Sequence, residues 1–238
     1  WSKKEHKDTN GGIVLAHQQS AGRGRETDRI WDSECTQNLY FTVSLLLDGK
    51  PSLFSQMTLV NFASALSVVR VCRQTLGIQQ ACVKWPNDVW IGKKKCAGML
   101  IDSTTCLNAG AEVHLGVGVN LASGQFENTN HPLHNEATSI FDHLSSKSSP
   151  IGREQFLAEF CNHLESLVEA NDLESVIAEY KACDCLTNQK QIVVMPKKKE
   201  SNERKMAKAI GYSKEGFLLV SYDGKNVEKL MCEEVSIR

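Results

Sequence analysis

Residues 81–101 read ACVKWPNDVWIGKKKCAGMLI, and this stretch decides how the chain is expected to fold. Two short apolar runs, 82–85 and 97–101, are separated by turn-forming residues, Pro-Asn-Asp at 86–88 and Gly-Lys-Lys at 92–94. Short apolar runs bounded by such turns predict buried strands. The stretch therefore predicts neighbouring strands of a sheet, with polar groups presented at the turns between them.

The sequence on either side predicts further strands and several helices. Apolar residues at helical spacing indicate helices, and short runs rich in β-branched and aromatic residues indicate strands. Buried strands are predicted at 13–16, 39–47 and 113–119, and helices after Pro51 to about Gly77, over 156–168, and from an Asp172 cap to about 182.

The pattern changes near Leu186, after which short alternating strands dominate. These are predicted at 191–195, 206–210, 216–221 and 235–237. Alternation with turn residues between the strands is typical of a small barrel or sandwich. The predicted fold class is α+β, a core of sheet and helices followed by a small all-β domain.

Composition restricts the class of protein. The 238 residues carry a net charge of −1, so the chain as a whole is not built to attract nucleic acid or anionic membranes. The nine cysteines have no repeated spacing, and Cys183 and Cys185 lack a second pair to complete a zinc site. We expect free thiols, no membrane span and no signal peptide. The start at Trp1 leaves room for a targeting segment upstream.

Gly22-Arg23-Gly24-Arg25 combines a pliable backbone with two permanent positive charges. Glycine lets the main chain approach a ligand closely, and guanidinium groups match carboxylate or phosphate oxygens. The pattern indicates either a loop that closes over an anion or a solvated turn.

Three other positions carry chemistry. Asn87 and Asp88 present an amide and a carboxylate where a nucleotide, a metal or an amine could meet them; a capped turn is the plain alternative. Lys95 ends a run of three lysines and is either directed at an anion or part of a solvated hairpin. Gly116 and Gly118 alternate within a predicted strand. Such glycines indicate either a flat ligand that lies against the strand or a β-bulge.

In order, these blocks are GRGR at 22–25, Trp31, KWPND at 84–88, Lys95 followed by Cys-Ala-Gly, and GVGVN at 116–120. The order resembles the biotin protein ligases, also called holocarboxylase synthetases. KWPND in register with the other blocks is the most specific part of the resemblance.

The resemblance covers residues 13–238 and implies a particular architecture. A class II synthetase-like mixed sheet flanked by helices would form a catalytic domain at 1–186. A small SH3-like barrel would follow at 187–238.

The resemblance also implies the reaction. Biotin and ATP would form biotinyl-5'-AMP, with Mg²⁺ on the phosphates and no dedicated protein ligands for the metal. The biotinyl group would then pass to a lysine amine on the biotin carboxyl carrier domain of a carboxylase. Because no DNA-binding segment precedes the core, a repressor role is not expected. Oligomeric state, including a homodimer, is left open, and the expected compartment is the cytoplasm, or an organelle if a targeting segment lies upstream.

Roles for individual residues are carried over from the same resemblance. Catalysis would rest on Arg23, Arg25, Lys95 and Asp88, with Asp88 close to the incoming amine. The biotin pocket would be formed by Gln19, Gly22, Arg23, Arg25, Lys95, Gly98, Gly116 and Gly118. ATP and the adenylate would be held by Arg25, Arg29, Trp31, Asn87, Lys95 and Asn120, with Trp31 stacked on adenine.

The chain departs from the family pattern in three places. A Ser-Thr-Asn segment that contacts biotin is missing before residue 13, the loop at 26–30 is longer and holds two acids, and the usual Pro and Gly are replaced within 32–37. Two alternatives stay open: a lipoate–protein ligase-like enzyme, which shares the fold and the adenylation chemistry, and a non-catalytic binding module derived from a ligase.

Overall fold

The computed structural model describes residues 10–25, 30–50, 52–106, 110–146, 148–196, 204–231 and 235–237. The helices and strands, in chain order, are β1 (Ile13–Ala16), β2 (Leu39–Leu47), α1 (Leu53–Arg70), β3 (Ala81–Lys84), β4 (Asp88–Ile91), β5 (Lys94–Cys106), β6 (Gly110–Val119), α2 (Arg153–Glu169), α3 (Leu173–Ala182), β7 (Ile192–Pro196), β8 (Lys205–Tyr212), β9 (Leu218–Ser221), β10 (Glu228–Leu230) and β11 (Val235–Ile237). Within these ranges, no helix is long and apolar enough to cross a membrane.

Six strands form the larger sheet, in the order β1-β2-β6-β5-β4-β3. Every neighbouring pair in it is antiparallel. The predicted fold class is confirmed, but the sheet is antiparallel and not mixed. Two isolated parallel bridges join this sheet to residues outside the named strands: Val83 of β3 pairs with Asp184, and Lys95 of β5 pairs with Ala137.

One face of this sheet carries the hydrophobic core. Along β6, Val113, Leu115, Val117 and Val119 are buried and alternate with residues on the other face. The core continues into the helices, where Phe62 of α1 stacks on Tyr180 of α3 with ring centroids 4.0 Å apart. Burial of each such side chain contributes about 1.5–3 kcal/mol. The residues of β6 on the opposite face are only half-buried.

The predicted helices are confirmed, with their ends set by local chemistry. Ser52 caps α1 by accepting a hydrogen bond from the Ser55 amide, and Asp172 caps α3 in the same way from Ser175. After Arg70, α1 continues as a π-helical turn over Val71–Thr75 and stops before Gly77, whose φ is +74°. Each cap satisfies an amide that the first helical turn leaves without a partner.

β1 corrects the expectation of a buried strand. Ile13, Val14 and Leu15 are 43%, 51% and 40% exposed, respectively. The cause is position, because β1 is an edge strand that pairs with β2 alone in the part of the chain described. An apolar run indicates a strand but does not tell whether other elements cover it.

The smaller sheet contains five antiparallel strands in the order β10-β9-β8-β7-β11. It packs against the larger unit through Phe54 and Phe217, which stack 5.5 Å apart, and through a hydrogen bond of 3.1 Å from Trp85 Nε1 to the Gly216 carbonyl. The strand-rich tail agrees with the sequence, and the domain boundary at 186/187 stays a prediction.

Candidate functional site

A cavity of about 670 Å³ lies on the face of the larger sheet opposite the core. Its walls come from the GRGR loop and the residues after it, from the hairpin of β3 and β4 with the start of β5, and from a segment between Asn120 and Ala137. Cavities of this size hold nucleotide- or drug-sized ligands.

Lys95 and Asp88 meet inside this cavity. Their strands pair with an irregularity between Val89 and Trp90, so that both side chains reach the same face. Lys95 Nζ lies 2.6 Å from Asp88 Oδ1, and the two side chains are 31% and 25% exposed. The structure therefore brings a cation and a carboxylate, both predicted to be catalytic, into direct contact.

Gly98 and Gly118, directly opposite each other on β5 and β6, form what we call the glycine strip. The Trp31 ring lies on this strip: a Cβ on Gly118 would be 2.5 Å from Trp31 Cε2, and one on Gly98 would be 3.0 Å from Cζ3. Lys95 Nζ lies 5.1 Å from the centroid of the same ring. Only glycine permits this close approach.

The structure packs the ring of Trp31 on two of the glycines that we assigned to the biotin pocket. The placement of Trp31 at adenine and of the glycines at biotin stays a prediction. Gly116, another of these glycines, lies apart from the indole, and a Cβ there would make only ordinary contact with Leu100.

The two arginines of the GRGR loop point to different partners. Arg23 forms an ion pair with Asp102 on β5, and both side chains are more than half exposed. Arg25 lines the cavity, and its Nη1 atom is buried without a hydrogen-bond partner among the described residues. The same holds for Nε1 of Trp31. Buried donors without partners are costly, so these two favour a ligand that supplies acceptors.

The remaining predicted residues lie around the cavity or beside Trp31. Asn87 and Asn120 line it, while their amide groups donate to the carbonyls of Met99 and Thr138. Gln19 accepts a hydrogen bond of 2.9 Å from Ser33, and Gly22 accepts one of 3.0 Å from the Trp31 amide. Arg29 lies outside the described residues.

Apart from Asn120, the segment 120–138 was not predicted to belong to the site. It runs beside the start of β5, where the Lys95 amide donates to the Glu136 carbonyl and the Thr138 amide donates to the Lys95 carbonyl, both at 2.9 Å. Phe126 and Leu133 of this segment line the cavity. Its polar, irregular sequence gives no periodic signal that could have identified it.

Two further aromatic side chains lie near the site: Trp90 lines the cavity, and Tyr40 is buried beside the glycine strip. Lys84 Nζ lies 3.7 Å from the centroid of the Trp90 ring, and both residues line the cavity. Tyr40 on β2 lies opposite Gly118, and burial raises the pKa of its phenol to about 12. Tyr40 is therefore a neutral donor, and its hydroxyl donates to the Cys35 carbonyl at 3.0 Å.

Within the described ranges, no group of three or more His, Cys, Asp or Glu residues is arranged to hold a metal ion. The cavity instead offers Lys84, Lys93, Lys95 and Arg25 as positive groups. Such a set suits the oxygens of phosphates and carboxylates.

The model of the biotin/lipoate A/B protein ligase family matches residues 2–120, half of the chain. The bifunctional ligase/repressor BirA of Escherichia coli is 33% identical over 118 residues, which cover 50% of this chain and 35% of BirA. The biotin–[acetyl-CoA-carboxylase] ligase of Paracoccus denitrificans is 34% identical over 110 residues, 46% of this chain and 44% of that protein. The chain thus matches less than half the length of each of these relatives.

The fold matches a solved structure along almost the whole chain. The biotin protein ligase of Aquifex aeolicus, in complex with biotin and ATP, superimposes with a TM-score of 0.76 at 21% identity. The match covers 98% of this chain and 91% of the Aquifex chain, so the smaller sheet belongs to the shared fold.

Proposed function

The chain belongs to the biotin/lipoate A/B protein ligase family, and on that premise we propose that it is an ATP-dependent biotin protein ligase. In the first step, a carboxylate oxygen of biotin attacks the α-phosphorus of ATP, pyrophosphate leaves and biotinyl-5'-AMP forms. In the second, a lysine amine attacks the biotinyl carbonyl carbon, AMP leaves, and the nitrogen loses its proton as the amide forms.

The observation that carries the proposal is the contact between Lys95 and Asp88 in the cavity. The first step brings two anions together, and two unit charges 4 Å apart repel by about 4 kcal/mol at an effective dielectric of 20. The Lys95 ammonium and the Arg25 guanidinium would offset this repulsion, and both face the cavity. Fixed charges aimed at the reacting oxygens stabilise the transition state more than mobile ones.

Asp88 would act in the second step. A carboxylate beside the acyl-adenylate can accept a hydrogen bond from the incoming ammonium and take its proton. Asp88 lies 2.6 Å from Lys95, which would hold the adenylate, so amine and carbonyl carbon would meet next to it. Arg23 pairs with Asp102 and would have to leave it to reach biotin.

Mg²⁺ would enter bound to the phosphates of ATP, where it neutralises charge on the leaving pyrophosphate. The acceptor we propose is the biotin carboxyl carrier domain of a carboxylase. The name of the Paracoccus relative, a ligase for acetyl-CoA carboxylase, supports this choice.

The test is incorporation of biotin into an isolated carrier domain by the 238-residue chain with ATP and Mg²⁺. Lipoate replaces biotin in a parallel reaction, because the family model covers both kinds of ligase. A second chain extended at its N-terminus controls for residues that precede Trp1. Labelling with biotin that depends on ATP is expected; labelling with lipoate alone, or formation of neither adenylate by either chain, would overturn the proposal.

A further inference from the structure

Asp32, which lines the cavity, contacts His131, which lies 99 positions later in the sequence. Asp32 follows Trp31, and His131 belongs to the segment between Phe126 and Leu133. His131 Nε2 lies 3.5 Å from Asp32 Oδ2, and the side chains are 23% and 28% exposed.

Each partner is held by its own neighbours. Asp32 Oδ1 accepts a hydrogen bond of 3.2 Å from the Glu34 amide, which leaves Oδ2 directed at the histidine. His131 Nδ1 accepts one of 3.1 Å from the Leu133 amide, so the neutral ring carries its proton on Nε2, facing Asp32.

The two segments joined by this contact line the same cavity. Trp31 and Asp32 belong to one wall, and Phe126 and Leu133 to the other. The Phe126 ring meets the His131 ring edge to face at 5.1 Å, and its carbonyl lies 2.6 Å from His134 Nδ1. These contacts hold the second wall in place, and the Asp32 carboxylate of the first wall contacts it through His131.

We propose that Asp32 and His131 form a clasp that keeps the acyl-adenylate in the cavity until the acceptor amine arrives. This inference rests on the proposed function. A mixed anhydride that leaves the site is lost to hydrolysis, so a contact that holds the two walls together would lower that loss. Both are positioning residues, since the clasp acts through the walls and not on the reacting atoms.

The clasp also fits the place where this chain departs from the family pattern. Asp32 opens the stretch 32–37, in which the expected Pro and Gly are replaced. The contact of Asp32 with His131 fixes the start of this stretch beside the cavity.

The test compares Asp32→Ala, His131→Ala and the double variant in the absence of an acceptor. The quantity measured is the fraction of the biotinyl-AMP formed that escapes into solution. We expect this fraction to rise about fivefold in each single variant, the factor that one partly exposed polar contact can support. The double variant should rise no further than either single variant, because the two residues make one contact.

Glu34→Gln is the matched control, since it removes an exposed acid from the same loop without touching the clasp. It should retain the adenylate as the unchanged chain does. If Asp32→Ala fails to fold, Asp32→Asn keeps the side-chain shape and should give a smaller rise in the same direction.

The outcomes separate the two proposals. If the unchanged chain forms no biotinyl-AMP, the proposed function fails and the retention role fails with it. If it forms biotinyl-AMP and a folded Asp32→Ala chain loses no more of it than Glu34→Gln, the clasp alone is overturned. Single-variant effects that add in the double variant also contradict it.

Discussion

Lys95 and Asp88 hold each other at 2.6 Å, one at the start of β5 and the other at the start of β4. Each is thereby fixed where a ligand would meet it. A phosphate or carboxylate that binds Lys95 competes with Asp88 for the ammonium and frees the carboxylate. One contact thus links the two halves of the proposed reaction.

Removal of either partner should affect the two half-reactions differently. Lys95→Ala should raise the activation free energy for formation of biotinyl-AMP by about 2–4 kcal/mol, because a charge that acts in the transition state is lost. Asp88→Asn should slow transfer to the amine more than adenylation. Pyrophosphate release and single-turnover transfer measure the steps separately. Lys214→Ala, on the smaller domain, serves as the control, and equal effects on both steps in both variants would contradict these roles.

The glycine strip can be tested with two alanine substitutions. Gly118→Ala should push the indole of Trp31 from the sheet, because the new Cβ would lie 2.5 Å from it. Gly116→Ala should leave that ring in place, since its Cβ would meet Leu100 at 3.5 Å. Tryptophan emission, measured against a Trp31→Phe background, should shift for the first substitution only. A shift of equal size in both would show that the ring does not rest on Gly118.

The packing of the smaller sheet on α1 predicts that alanine substitutions at two glycines lower the free energy of unfolding by different amounts. Gly216 has φ +89°, and its Cβ would be 2.5 Å from Thr58 Cγ2, so Gly216→Ala should lower the free energy of unfolding by about 2–4 kcal/mol. Gly224 has φ +76° but nothing within 4 Å, so Gly224→Ala should cost about 1 kcal/mol. Urea unfolding gives both values. A Gly216 variant as stable as the Gly224 variant would argue against close packing there.

His143 should make stability depend on pH. Burial is the main cause that lowers the pKa of its ring below the ordinary value of 6.5. The folded chain then binds fewer protons than the unfolded one, so the free energy of unfolding falls as the pH drops through 6.5 toward the folded pKa. His143→Gln should reduce this fall in the free energy of unfolding between pH 7 and 5. Part of the fall should remain, because burial also lowers the pKa of His163. If the free energy of unfolding depends on pH equally in the unchanged chain and in His143→Gln, the prediction is contradicted.

Local patterns predicted most of the fold. β2 was predicted with its observed bounds, and the three helices followed from spacing and caps. β4 and β10 were missed, because β4 is four residues long between two turns and β10 has one buried residue, Leu230. Strands this short carry too few positions for alternation to be read.

The candidate site was predicted in part. The sequence singled out Lys95 and Asp88 but not their contact, which depends on the irregular pairing of β4 with β5. The contact of Asp32 with His131 was not predicted either, because it joins two irregular segments far apart in the chain and depends on the final packing. The place of Trp31 on the glycine strip was missed for the same reason.

That place has a consequence for affinity. Any flat molecule that lies on Gly98 and Gly118 must take the volume that the indole now fills. Trp31 therefore competes with such a molecule for this space. Because the indole belongs to the same chain, dilution of the protein does not weaken this competition. The measured dissociation constant then equals the intrinsic one divided by the fraction of chains whose indole has moved aside. Substitutions in the GRGR loop could change affinity through that fraction alone, without touching the bound molecule.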